Sequence, residues 1–150
     1  MEGTLRISDA ASIAMHAMAF IASRTVQGPM SVADLASRLG VSEAHLGKVL
    51  QRLVRHGYLA SRRGPSGGYE PARDLGDLTL LEVYEAVDGP LRRGECLLGR
   101  RACAGGSCIL GDLVGTVNEM VRAQLARTRI GDLEFETDRS RSADARRRPS

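Results

Sequence analysis

The amino-acid sequence predicts a mainly α-helical chain with one small β-hairpin, and three observations predict it. Aromatics are 3% of 150 residues and Trp is absent, so the core is built from Leu, Val, Ile, Ala and Met, a set that favours helices over a β-sandwich. Apolar stripes at helical spacing recur in five places. One stretch breaks that rhythm, because Tyr58 to Arg62 and Gly68-Tyr69-Glu70 read as two short strands around a glycine-rich loop. With 43% hydrophobic and 26% charged residues, the chain is expected to fold as one domain with a modest core and an extension.

The first helix runs from about Ser8, its N-cap, to Ser23, with Ile13, Ala17, Phe20 and Ile21 on the core face before Gly28-Pro29 breaks the chain. The second follows Ser31, with Asp34 three residues on in the manner of a capping box. Its stripe is Val32, Leu35, Ala36 and Leu39, and Gly40 ends it. The third is capped by Ser42, buries Leu46, Val49, Leu50 and Leu53, and stops at Gly57. Two short helices joined by a tight glycine turn form a helix-turn-helix, in which Val41 plugs the space between helices and Ser42, Glu43, His45 and Lys48 are left to face a DNA groove. A ligand-free αα-corner has the same pattern, but a hairpin placed directly after it is a wing. The wing tip, Arg62-Arg63-Gly64-Pro65-Ser66-Gly67-Gly68, pairs two guanidinium groups with glycines that let backbone approach a phosphate or enter a minor groove. A phosphate-binding P-loop is set aside, since no Gly-Lys-Ser/Thr follows. The expected DNA contacts are Ser42, His45 and Lys48 from the helix and Arg62, Arg63, Gly64 and Ser66 from the wing.

A fourth helix opens at Thr79, with Glu82 completing a capping box, and buries Leu80, Val83, Tyr84 and Val87 before Gly89-Pro90. Residues 109–128 read as a fifth, with Leu110, Leu113, Val114, Val117, Met120, Val121 and Leu125 on one continuous stripe. Lying beyond a complete winged domain, that stripe is expected to meet a second copy, as dimeric DNA readers require. From Thr137 the chain is Arg, Ser and Asp with almost no apolar residue, a composition expected to stay disordered. The expected organisation is a winged helix-turn-helix DNA-binding domain at 1–78, a connecting helix and three-Cys loop at 79–108, a dimerisation helix and end segment at 109–136, and an Arg-rich tail at 137–150.

The net charge is +3, and its distribution says more than its size. The tail holds five Arg against two Asp, so residues 1–136 are neutral overall. Within them, residues 38–73 carry Arg38, Lys48, Arg52, Arg55, Arg62, Arg63 and Arg73 against only Glu43 and Glu70, the electrostatic footprint of nucleic-acid binding. Residues 74–90 reverse the sign with Asp74, Asp77, Glu82, Glu85 and Asp88. The longest weakly polar stretch, Ala10 to Ala22, falls short of the roughly 20 residues of a membrane span, and the N-terminus lacks a secretory leader, so a cytoplasmic location is expected. With no nucleotide loop, no His near the Cys and no paired carboxylates in a glycine-rich setting, an enzyme is not expected.

All three cysteines, Cys96, Cys103 and Cys108, fall between the last two helices. An odd number in a reducing compartment argues against a disulfide framework. Structural zinc prefers four ligands with a tight pair, a poor match to these spacings. Thiolates around Gly105 and Gly106 suit a larger, softer inorganic core whose sulfides accept backbone amides, and Arg100 and Arg101 would offset its negative charge. Unligated thiols and a thiol–disulfide switch stay open at this point.

These features together resemble the IscR and NsrR type (Rrf2) of bacterial winged-helix regulators. The resemblance spans roughly Leu5 to Leu133. It rests on Leu5-Arg6-Ile7-Ser8, Val32-Ala33-Asp34-Leu35-Ala36 through Val41-Ser42, the wing Arg63-Gly64-Pro65-Ser66-Gly67-Gly68-Tyr69, the stretch Leu81 to Pro90 and the three-Cys loop. It implies a homodimer that binds a palindromic operator in double-stranded DNA and holds an iron–sulfur cluster, 2Fe-2S or 4Fe-4S, through Cys96, Cys103 and Cys108. Nitric oxide, iron supply or redox stress is the signal in different members. Some relatives take a fourth ligand from a carboxylate in the first helix, where this chain has Ser12, and others from a His after the third Cys, where it has Ile109-Leu110-Gly111. That leaves Asp9 and His16, one turn either side of Ser12, as the candidates. The expected function is a DNA-binding transcription regulator, a repressor, switched by the cluster. The competing functions are a winged-helix regulator with a metal-free thiol switch and a metal-binding adaptor that docks on a partner protein.

Overall fold

The computed structural model describes residues 7–23, 28–91 and 109–133. In chain order the elements are α1 (Asp9–Ser23), α2 (Val32–Leu39), α3 (Glu43–Arg55), β1 (Leu59–Arg62), β2 (Gly68–Pro71), α4 (Leu80–Asp88), α5 (Leu113–Arg127) and a 3-10 turn at Ile130–Asp132. This is a winged helix-turn-helix followed, among the described residues, by two further helices.

The helix boundaries obey local chemistry. Ser8 Oγ accepts from the Ala11 amide at 3.0 Å and so caps α1. Ser31 and Ser42 accept from the amides of Asp34 and His45, and Thr79 closes a full capping box with Glu82. Gly40 takes the left-handed conformation, φ 66°, that turns α2 into α3. Two of the boundaries that differ from the sequence expectation have a visible local cause. The strand starts at Leu59 rather than Tyr58, because the Tyr58 amide is still bonded to the Leu53 carbonyl beyond α3. The last helix starts at Leu113 rather than 109, because Gly111 at φ 58° closes a turn ahead of it.

α1 sits at the centre. Ala11, Ala14 and Ala17 are fully buried, and their small side chains let α3, α4 and the 3-10 turn pack against it. Leu35, Leu46, Leu50, Leu53 and Val83 fill the same core, each contributing about 1.5–3 kcal/mol by leaving water. Ile13 is half-buried at its edge.

The expected hairpin forms, and two backbone pairings that no local pattern announces, Met30 with Tyr69 and Ile130 with Leu78, complete the fold. β1 and β2 pair antiparallel, Leu59 opposite Pro71 and Arg62 opposite Gly68, and Tyr69 also exchanges two 2.8 Å hydrogen bonds with Met30. After α5 the chain returns to the loop before α4. The Ile130 amide donates to the Leu78 carbonyl at 2.7 Å and the Leu80 amide to the Thr128 carbonyl at 2.9 Å. Ile130 thereby enters the main core at 1% exposure.

Candidate functional site

The face of α3 opposite its buried stripe forms an open groove lined by Glu43, Ala44, Gly47, Lys48, Gln51, Arg52 and Arg55, with Val32 at its edge. Of the residues expected to meet DNA from this helix, Lys48 lines the groove, while Ser42 and His45 stand exposed at its N-terminal end. Gln51 is not singled out by the sequence, and Arg52 and Arg55 stand there only as members of the basic cluster. Their signal was there, since Ala44, Lys48, Gln51 and Arg55 recur at spacings of four, three and four.

A side-chain bond holds the wing to this helix. Gln51 Nε2 donates to the Tyr69 hydroxyl at 2.8 Å, and Tyr69 is itself buried. At the tip the Gly67 amide closes on the Gly64 carbonyl at 3.0 Å, leaving Arg63, Gly64 and Ser66 exposed. A Cβ on Gly68, at φ 149°, would lie 2.2 Å from the Met30 carbonyl oxygen, so only glycine lets the wing pair with the chain before α2.

The cations of residues 38–73 divide into two sets. Arg62 binds Glu70 across the hairpin at 2.5 Å, and Arg52 donates to the Val87 carbonyl at 3.0 Å. Arg38 lies over the Phe20 ring and Arg73 over the Tyr58 ring. Lys48, Arg55 and Arg63 are exposed and have no ion pair or side-chain hydrogen bond among the described residues. Charges left without internal partners, two on the outer face of α3 and one on the wing, are available to an anionic polymer. The Tyr58 and Tyr84 hydroxyls are pushed above their usual range, first by burial and next by Glu82 and Asp88 respectively, so both stay neutral at ordinary pH.

Cys96, Cys103 and Cys108, with Arg100, Arg101, Gly105 and Gly106, lie outside the described residues, as does the tail 137–150. The two chain ends that flank the cysteine segment are described. Leu91 is buried against Ala11, Tyr84 and Leu125, and Ile109 is 85% exposed. Ser8, which caps α1, donates its hydroxyl to Asp88 Oδ1 at 2.6 Å, so the start of α1 abuts the end of α4, three residues before Leu91. Asp9 is exposed there, and His16 is exposed two turns on, its Nδ1 2.7 Å from the Ser12 carbonyl oxygen. A histidine between Met15 and Met18 reads from sequence as a packed core residue, but the alanine ridge of α1 turns it outward.

The apolar stripe expected along α5 divides. Val114 and Leu125 are buried, and Asn118 sits between them at 5% exposure with its polar atoms satisfied. Leu113, Val117 and Met120, on the adjoining face, are 56%, 41% and 67% exposed.

Residues 7–135 match the Rrf2 family, described as iron-dependent transcriptional regulators. The chain is 32% identical over 130 residues to the HTH-type transcriptional regulator IscR of Xenorhabdus nematophila, covering 86% of this chain and 79% of that one. IscR of Klebsiella pneumoniae matches to the same extent. Among solved structures, CymR (YrzC), the global cysteine regulator of B. subtilis, superposes with a TM-score of 0.71 at 25% identity over 89% of this chain and 99% of that one. IscR of T. potens superposes with a TM-score of 0.63 at 20% identity over 97% and 93%, a likeness of fold.

Proposed function

The chain belongs to the Rrf2 family of iron-dependent transcriptional regulators, and from that premise we propose that it is a homodimeric repressor whose operator affinity is set by an iron–sulfur cluster on Cys96, Cys103 and Cys108. It is a DNA-binding regulator and not an enzyme. The observation that carries the reading is the division of the cations in residues 38–73, because Lys48 and Arg55 on α3 and Arg63 on the wing have no ion pair or side-chain hydrogen bond among the described residues. Arg63 enters the minor groove from the wing tip, where Gly64 and Ser66 bring backbone and hydroxyl close to phosphate. Lys48 reaches into the major groove with Ser42 and His45 beside it. Arg62, already paired with Glu70, keeps its remaining N–H groups for phosphate.

The donor chemistry suits the cluster. Three thiols are soft ligands, and the exposed Asp9 and His16 on α1 offer a carboxylate or imidazole as the fourth. Asp9 has the better claim, since Ser8 is bonded to Asp88 close to where the cysteine segment departs. When bound, the cluster supplies a centre that reacts with oxidants or nitric oxide. The outward face of α5, with Leu113, Val117 and Met120, covers the same face of a second copy, which sets the spacing of two recognition helices over a palindrome whose half-sites lie about 34–36 Å apart.

Anaerobic purification followed by iron and sulfide counts tests this, together with binding to a duplex enriched from a random pool. The expected outcome is a coloured dimer that prefers the enriched duplex and whose affinity changes when the cluster is lost. Replacing any one Cys with Ser is expected to abolish or strongly destabilise the cluster. Iron-free protein whose affinity follows thiol oxidation would instead establish the metal-free switch, and failure to bind any duplex would establish the adaptor.

A further inference from the structure

The last carbonyls of a helix have no intrahelical donor and need partners from elsewhere. At the end of α4 the Glu85 carbonyl is capped by the Gly89 amide at 3.0 Å. The Val87 carbonyl takes its hydrogen bond from another element, Arg52 Nη1 of the recognition helix, at 3.0 Å. Arg52 also lines the groove on the outer face of α3. One side chain therefore joins the DNA-facing helix to the final turn of α4.

That turn is where the chain leaves for the cysteine segment. Leu91, the last described residue before it, is held at both backbone groups: its amide donates to Glu85 Oε1 at 3.2 Å and its carbonyl accepts from Arg122 Nη1 at 3.1 Å. Arg122 and Glu85 lie 3.9 Å apart, so the two clamps form one unit. A displacement of Leu91 would be passed through Glu85 to the turn that contains Val87. Loss or rotation of the Val87 carbonyl then frees the guanidinium that steadies α3.

We infer that Arg52 is a positioning residue that carries the state of the cysteine segment to the recognition helix through the Val87 carbonyl. The inference rests on the proposed switch and adds the route by which it reaches DNA. Because coupling of this kind is reciprocal, DNA held by α3 also stabilises one arrangement of the α4 terminus.

The test compares full-length protein with native cysteines against the Cys96→Ser, Cys103→Ser, Cys108→Ser triple variant, using the enriched duplex as probe. In the wild-type background the two forms differ in affinity by at least about fivefold, the low end of ordinary coupling. Arg52→Gln brings that ratio close to one, while Arg52→Lys, which keeps a donor, retains most of it. An unchanged ratio in Arg52→Gln overturns the inference, and equal weakening of both forms with a salt slope lowered by about one marks Arg52 as a plain phosphate contact. A wild-type ratio of one sinks the switch itself, an outcome visible without any Arg52 variant. Should Arg52→Gln fail to fold, hydrogen exchange decides. Removal of the cysteines must change exchange in residues 43–55 as well as at 85–91, and a response confined to 85–91 overturns the coupling.

Discussion

α3 and α5 are helices of similar length built on opposite plans. In α3 the apolar residues Leu46, Val49, Leu50 and Leu53 all face inward, and the outer face carries Lys48, Gln51 and Arg55. In α5 apolar residues occupy two faces, Val114 and Leu125 inward and Leu113, Val117 and Met120 outward. A polar outer face is satisfied by water or by an anionic polymer, whereas an apolar one is satisfied only by another apolar surface. The same chain thus displays two different demands for a partner, a charged one on the helix-turn-helix and a greasy one beyond it. Substitutions at six positions break or sharpen this contrast.

The largest effect is expected in the buried stripe of α3. Leu50 is fully buried, and Leu50→Ala removes its transfer energy and leaves a cavity, so chemical denaturation should register a loss of about 2–5 kcal/mol. Leu113→Ala, on the exposed face of α5, should cost the isolated protomer no more than about 0.5 kcal/mol. Equal losses at the two sites would mean that the outward face of α5 is part of the protomer core after all.

Next comes the charge on the wing. Arg63→Ala should weaken binding to the enriched duplex by about 1–3 kcal/mol while leaving the denaturation midpoint unchanged, since Arg63 is exposed and has no partner among the described residues. A titration at physiological salt that gives wild-type affinity would remove the wing from the interface. On the apolar side, Val117→Asp should raise the dimer dissociation constant at least about tenfold, roughly 1.4 kcal/mol, in sedimentation measurements. A variant that still sediments as wild type would show that α5 is covered by something other than a second copy.

The helix-turn-helix was almost wholly legible in the sequence because its signals are short-range. Ser31, Ser42, Thr79, Gly40 and Gly89 announce where helices start and stop within a few residues, and the stripes between them name the buried faces. What was missed depends on residues far apart. The Met30–Tyr69 pairing, the return of Ile130 to Leu78, and the bonds from Gln51 to Tyr69 and Arg52 to Val87 have no periodicity to reveal them. The stripe of α5 was visible, but not its division, because a helix read alone does not say which neighbour covers which edge. The cations of residues 38–73 were likewise visible as a cluster, and only the fold separates those paired internally from those left over. Cys96, Cys103 and Cys108 were read from their spacing and neighbours, and they keep that standing outside the described residues.

The smallest effect concerns how the two helices begin. α3 starts with Ser42, whose hydroxyl oxygen accepts from the His45 amide at 3.2 Å, satisfying one of the four amides a helix start leaves open. α5 starts at Asp112, which makes no side-chain hydrogen bond to its own helix. Ser42→Ala should therefore cost about 1 kcal/mol in thermal or chemical unfolding. Asp112→Ala should cost only a few tenths, the residue acting through charge near the positive helix end alone. Because Ser42 also stands exposed at the end of α3 proposed to meet DNA, Ser42→Gly separates the two roles, since glycine costs a cap position only a few tenths of a kcal/mol. If Ser42→Gly restores stability but not affinity, the hydroxyl meets DNA; if both return together, Ser42 serves the helix alone. A loss at Asp112 as large as at Ser42 would mean that α5 relies on its first turn as α3 does, and the contrast between a self-contained helix and one completed by a partner would not hold.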